Sequence, residues 1–129
     1  MTTQEELKTV TTLCRDIFTK KTYDYGASWR IMRPESITDQ IFIKANRIRS
    51  LQIKGESKVG EGIQPEFIGI VNYGIMGLIQ LKFGHADDVD MDPDKVVSLY
   101  DEYMQQTLAL LEAKNHDYDE AWRLMRVSS

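Results

Sequence analysis

The chain has a single cysteine, Cys14, only three prolines, and no apolar run near the roughly 18 residues that a membrane helix requires. One thiol excludes an internal disulfide framework and a cysteine-built metal site. Cys14 also falls on an apolar helical stripe, where a buried structural thiol is a simpler reading than a nucleophile. No basic-then-apolar leader stands at the first residues, so a cytoplasmic setting away from membranes is expected. Alternating strand patterns are nearly missing as well. With 129 residues, 42% of them apolar, there is material for the core of one domain, residues 1–129.

What the sequence does have is repetition. Lys21-Thr-Tyr-Asp-Tyr-Gly-Ala-Ser-Trp-Arg-Ile-Met-Arg33 returns as Lys114-Asn-His-Asp-Tyr-Asp-Glu-Ala-Trp-Arg-Leu-Met-Arg126, so that Trp29, Arg30 and Arg33 reappear as Trp122, Arg123 and Arg126 at a constant offset of 93. Upstream, Leu7, Val10, Cys14, Ile17 and Phe18 map at that offset to Tyr100, Tyr103, Thr107, Leu110 and Leu111, which keeps helical spacing where identity is lost. Each copy is a helix followed by an Asp-Tyr-Trp-Arg box. The first spans about 4–83, and the second, about 97–129, stops at Val127-Ser128-Ser129 where its next helix is due. The expectation is a natural protein that continues past Ser129.

The net charge of −4 hides an asymmetry. Residues 1–58 carry eleven Lys and Arg against seven Asp and Glu, whereas residues 59–129 carry five against thirteen. No dense basic stripe could neutralise many phosphates, so long-duplex DNA binding is not expected. A small phosphorylated ligand suits the basic half better.

Periodicity and capping signals predict an all-α, four-helix bundle-like domain. The helices run from Thr3 to about Lys21, from Ser36 to about Lys54, from Pro65 to about Phe83, and from Asp92-Pro93 to about Ala113. Ser36-Ile-Thr-Asp39 reads as a capping-box-like start, Tyr23–Pro34 as the connecting box, and Gly55–Gly62 as a loop. The acidic run Asp88-Val-Asp-Met-Asp-Pro-Asp94 superficially resembles a calcium loop. Pro93 stands where an EF-hand needs glycine and Leu99 where it needs a bidentate glutamate, so Asp92 is read as a helix cap instead.

Three places carry candidate chemistry. On the second helix Ile37, Ile41, Ala45, Ile48 and Leu51 form a stripe, with Lys44 inside it and Arg47 along its edge. A lysine among core positions either snorkels to water or meets an anion. Lys44 and Arg47 are also like charges at i,i+3, a repulsion that a phosphate would reverse. On the third helix Ile68, Val71, Ile75, Leu78 and Ile79 form the apolar face, while Glu66, Tyr73 and Gln80 recur every seven residues with Gly69 and Gly77 between them. Helix-interior glycines cost stability, so these two mark the close approach either of another backbone, as in tight packing across a dimer, or of a ligand. Glu66 is then the candidate to hold a metal or orient water. In the box, Trp29 and Tyr25 read either as core anchors or as stacking surfaces for a base. Lys21, Asp24, Arg30 and Arg33 read either as braces or as phosphate contacts.

Lys114-Asn-His-Asp-Tyr-x-x-Ala-Trp-Arg123, with Thr38-Asp39-Gln40-Ile-x-Ile-Lys44-Ala-x-Arg47-Ile-Arg49 and Asn72-Tyr73, resembles the nucleotide modification associated domain 1 family, itself distantly similar to MazG-like all-α nucleotide pyrophosphohydrolases. The resemblance implies nucleotide chemistry, ligand contacts from Asn72 and Tyr73, and homodimerisation. It also implies a magnesium ion held by Asp39, Glu61 and Glu66, with Glu66 catalytic. The dense Glu-x-x-Glu and Glu-x-x-Asp pairs of MazG-like enzymes are not present, and Gly69 stands where related sequences would carry an aspartate. Two expectations follow. One is magnesium-dependent hydrolysis of a nucleoside triphosphate or modified nucleotide; the other is a non-catalytic nucleotide-binding or helical dimerisation module.

Overall fold

The computed structural model describes residues 2–55 and 59–118, the side chains of 59–61 and 115–118 excepted. Four helices and one short 3₁₀ turn account for nearly all of it: α1 (Thr3–Tyr25), the turn Ser28–Ile31, α2 (Pro34–Lys54), α3 (Val59–Phe83) and α4 (Pro93–Tyr118). The domain is an all-α bundle with no strand among the described residues. Nor is any described helix long and apolar enough to cross a membrane.

Local chemistry sets the helix ends. Thr2 and Glu5 make a reciprocal capping box, Thr2 Oγ1 accepting from the Glu5 amide and a Glu5 carboxylate oxygen from the Thr2 amide, each at 3.1 Å. α1 ends at Gly26, whose φ of 75° and ψ of −178° lie in a region open essentially to glycine alone. α2 opens on Pro34 at its first position and closes on Gly55 in the left-handed conformation, φ 63°. At α4 the Asp92 carboxylate accepts from the Lys95 amide at 2.9 Å, the capping role expected for the acidic run.

Several boundaries differ from expectation. α1 continues through Tyr23–Tyr25, taking the start of the box into helix, and α4 runs past Ala113 to Tyr118. α2 begins at Pro34 rather than Ser36, because Arg33 in extended conformation serves as its N-cap without any side-chain bond. α3 begins at Val59, so Pro65 lies inside the helix, and the turn before it is held with one backbone hydrogen bond fewer.

Specific contacts fix the helix directions. α1 and α4 are antiparallel, since Gln4 bonds Glu112, Arg15 pairs with Asp101 at 2.7 Å, and Tyr23 donates to Asp94. α2 and α3 form an antiparallel hairpin along which Ile37 meets Gly77 and Leu51 meets Gly62. The core lies where α1, α3, α4 and the box converge: Phe18 stacks on Tyr100 at 4.2 Å between ring centroids and meets Trp29 at 6.4 Å, with Ile75, Ile79, Val96 and Met104 around them. Burying aromatics of this size contributes on the order of 2–3 kcal/mol each.

The buried stripes are rotated from the expected ones. On α2 Ala45 is exposed and Lys44 takes its place between Ile37 and Ile48. On α3 Val71 and Leu78 are exposed, and the buried line is Ile68, Asn72, Ile75 and Ile79. Polar side chains thus occupy core-facing positions on both helices of the hairpin.

Candidate functional site

A cavity of about 660 Å³ opens between the last turns of α1, the box, and the middle of α3. That volume is in the range of small-molecule pockets. Its deeper lining is buried and mostly apolar: Phe18, Thr22, Trp29, Ile68 and Asn72. Exposed side chains mark its mouth, among them Lys21, Tyr25, Ser28, Ile31 and Pro65. Tyr73 and Met76 complete the α3 side, Met32 the box side, and Lys44 is the one contribution from α2.

Lys44 reaches the cavity because of Gly69. A Cβ at Gly69 would lie 2.6 Å from Lys44 Cε and 2.7 Å from Cδ, so the lysine stem lies directly against the glycine backbone of α3. The interior glycine is thereby accounted for by a side chain from the neighbouring helix. From there the ammonium sits 3.6 Å from Glu66 Oε2 and 5.7 Å from the centroid of the Tyr73 ring, within cation–π range. Gly77 makes only an ordinary contact, 3.6 Å to Ile37 Cγ2.

Glu66 lies beneath this arrangement, 9% exposed. Its Oε1 accepts from Arg47 Nη1 at 3.1 Å, while Oε2 is buried without a hydrogen-bond donor. The repulsion between Lys44 and Arg47 is therefore relieved by a carboxylate of the protein itself. The three charges sum to one positive charge, and it is the lysine that lines the cavity.

Asn72 joins three helices. Its amide nitrogen donates to the Cys14 carbonyl at 3.1 Å and its oxygen accepts from the Tyr100 hydroxyl at 2.7 Å. Burial pushes the Tyr100 phenol well above its ordinary value and raises the Cys14 thiol too, which suits structural groups that stay neutral. An amide nitrogen carries two N–H donors, and Cys14 takes one of Asn72's.

The box arginine is used elsewhere. Arg30 is 2% exposed, and its guanidinium forks onto Asp90, Nε to Oδ1 at 2.9 Å and Nη2 to Oδ2 at 3.1 Å, while Nη1 donates to the Gly84 carbonyl at 2.8 Å and to Gln80 Oε1. The amide of Gln80, 1% exposed, returns to the box, donating to the carbonyls of Arg30 at 2.9 Å and Met32 at 2.6 Å. Box, α3 end and the loop before α4 are locked together by this network, and Trp29 is held as one wall of the cavity. Residues 21–81 match the nucleotide modification associated domain 1 family. The matched segment holds the whole box, α2 and nearly all of α3, and with it every lining residue of the cavity except Ile17 and Phe18. No curated protein and no solved structure matches the chain.

Of the residues singled out in the sequence, Lys21, Tyr25, Trp29, Lys44, Asn72 and Tyr73 come together around the cavity. Arg30 lies away from it in the network with Asp90, Arg33 caps α2 with its backbone and keeps an exposed side chain outside the lining, and Arg47 is paired with Glu66. Asp24 is exposed near the end of α1 and Asp39 on α2, and neither lines the cavity. The Glu61 side chain and the second box beyond Tyr118, with Trp122, Arg123 and Arg126, lie outside the described residues. Thr22, Ser28, Met32 and Met76 join the lining without having been marked by the sequence pattern, since none carries a charge or breaks a helical period. The anchoring role of Gln80 was missed too, although its seven-residue spacing from Tyr73 was visible.

Proposed function

We propose that this protein binds a nucleoside phosphate in the cavity, the base against its aromatic and apolar walls and the phosphate at Lys21 and Lys44. The observation that carries the reading is the charge of the lining. Two lysines and, among the described residues, no carboxylate border a space whose other walls are aromatic and aliphatic apart from the neutral polar groups of Thr22, Ser28 and Asn72. Such a surface favours an anion attached to a flat apolar body. Base–aromatic stacking contributes about 1–3 kcal/mol per base, and the Asn72 amide and Ser28 hydroxyl add neutral hydrogen-bonding groups. The family match supports the nucleotide as the ligand class.

Magnesium fits the described carboxylates poorly. Glu66 is held by two cations, Asp39 is exposed, and no three His, Cys, Asp or Glu among the described residues gather where one ion could be held. Binding is therefore the favoured activity.

Equilibrium titration with a panel of ribo- and deoxynucleotides tests the reading. Saturable binding is expected, lost on replacing Tyr73 by alanine and weakened on Lys44→Ala. Failure of every nucleotide to bind the folded protein would overturn it. Steady pyrophosphate or phosphate release with magnesium, abolished by Glu66→Gln, would replace binding with hydrolysis.

A further inference from the structure

We infer that the phosphate site of this cavity is built for a single phosphate: the ligand is a nucleoside monophosphate, selected over both the free nucleoside and the triphosphate. The inference rests on the nucleotide reading above and follows from counting the charges that a ligand would meet. Lys21 brings one positive charge, and the cluster of Lys44, Arg47 and Glu66 brings one more in sum, so the site offers two. A phosphate monoester carries about −1.5 to −2 at pH 7, a charge this pair neutralises. A triphosphate adds further anionic groups. Arg47, the nearest remaining cation of the cluster, is already bonded to Glu66 and is not part of the lining. Of the two box arginines, Arg30 is turned into the Asp90 and Gln80 network, and Arg33 is exposed and does not line the cavity. The additional phosphates would therefore remain in solvent or repel one another at the mouth.

Lys44 is also placed to exchange partners. Its ammonium stands 3.6 Å from Glu66, a separation longer than a good charged hydrogen bond, and the missing side chain at Gly69 gives its stem the room to run along α3 to the cavity. Arg47 stays on Glu66 when Lys44 turns to a phosphate, so the buried carboxylate keeps one cation throughout. This division of labour separates a cation that holds the carboxylate from a cation that reads the ligand.

Calorimetric titration of the full chain with matched sets of deoxynucleoside, 5′-monophosphate and 5′-triphosphate, with and without magnesium, tests the inference. For the preferred base, the monophosphate is expected to bind at least about tenfold more tightly than either relative, a difference of about 1.4 kcal/mol. Lys44→Met should remove most of that advantage, lowering monophosphate affinity about tenfold and nucleoside affinity by much less. Lys21→Met, at an exposed position where folding is not at stake, should reduce monophosphate affinity about threefold. A triphosphate that binds as tightly as the monophosphate or more so, with or without magnesium, overturns the single-phosphate assignment but leaves nucleotide binding standing. Equal affinity for nucleoside and monophosphate overturns it as well. If no member of any set binds, the nucleotide reading itself falls with it.

Discussion

Two ion-pair clusters flank the box and α3, and they differ in how completely they are satisfied. Around Arg30 the guanidinium is almost wholly buried, forks onto Asp90, and shares Gln80 with the carbonyls of the box. Around Glu66 the carboxylate is buried, but one oxygen has no hydrogen-bond donor, Arg47 is largely exposed, and Lys44 stands at a looser distance while lining a cavity. A network that directs nearly all its donors inward fixes structure. One that keeps a loosely paired cation beside a cavity leaves that cation available for the ligand proposed above.

The strongest way to break this contrast is Arg30→Ala. Removing the guanidinium leaves Gln80 and the Gly84 carbonyl without their donor and opens a void, so a loss of about 3 kcal/mol is expected in denaturant unfolding. Stability close to wild type, combined with lost nucleotide binding, would show that Arg30 serves the ligand after all. The complementary change, Lys44→Met, is expected to lower monophosphate affinity about tenfold, with stability held within about 1 kcal/mol because Arg47 still neutralises Glu66. A larger fall in stability than in affinity would place Lys44 among the structural residues.

How far the sequence foretold these two clusters depends on the distance over which the information is carried. The all-α class, the four helices and the cap at Asp92 follow from periodicity and local chemistry within a few residues. Lys44 inside a stripe and Gly69 inside a helix were each anomalous locally, and each pointed to close approach or an anion; the structure shows that the two anomalies meet each other. Arg30 was misleading for the opposite reason. Its partner Asp90 lies 60 residues away in a loop whose acidic run was explained fully by helix capping, so nothing local distinguished a phosphate-binding arginine from a structural one. The face of α3 was rotated because Asn72 and Gln80, polar by composition, are buried by bonding to Cys14, Tyr100 and the box carbonyls. Such burial is invisible to a pattern that sorts residues only by hydropathy.

Gly69 and Gly74, both inside α3, sharpen the comparison at smaller scale. An added Cβ at Gly74 meets nothing within 4 Å, so Gly74→Ala is expected to raise stability by about 0.5–1 kcal/mol through helix propensity alone, leaving nucleotide affinity unchanged. At Gly69 the same methyl would press on the Lys44 stem, so any gain in propensity is offset and the ammonium is displaced. Monophosphate affinity should fall about fivefold, roughly 1 kcal/mol. If Gly69→Ala matched Gly74→Ala in both stability and affinity, the path of Lys44 across Gly69 would be irrelevant to the site.

The smallest expected effect is a pH dependence of the structural cluster. The hydrogen bond from Arg30 holds the Asp90 carboxyl below its ordinary value of 3.8, opposed by some desolvation. A carboxyl whose folded-state value is depressed stabilises the protein above its unfolded value, and that contribution is lost as the pH falls from 3.8 through the lower folded value. Because the Asp90 side chain is 46% exposed, solvent screens the pair and the change should be modest. Asp90→Asn removes this titration, so unfolding midpoints measured from about pH 5 to about pH 2 should fall less steeply in the variant than in the parent protein. Parallel slopes would mean that the fork from Arg30 to Asp90 contributes geometry without measurable charge stabilisation, and the rigidity of the box would then rest on Gln80 and the carbonyls it gathers.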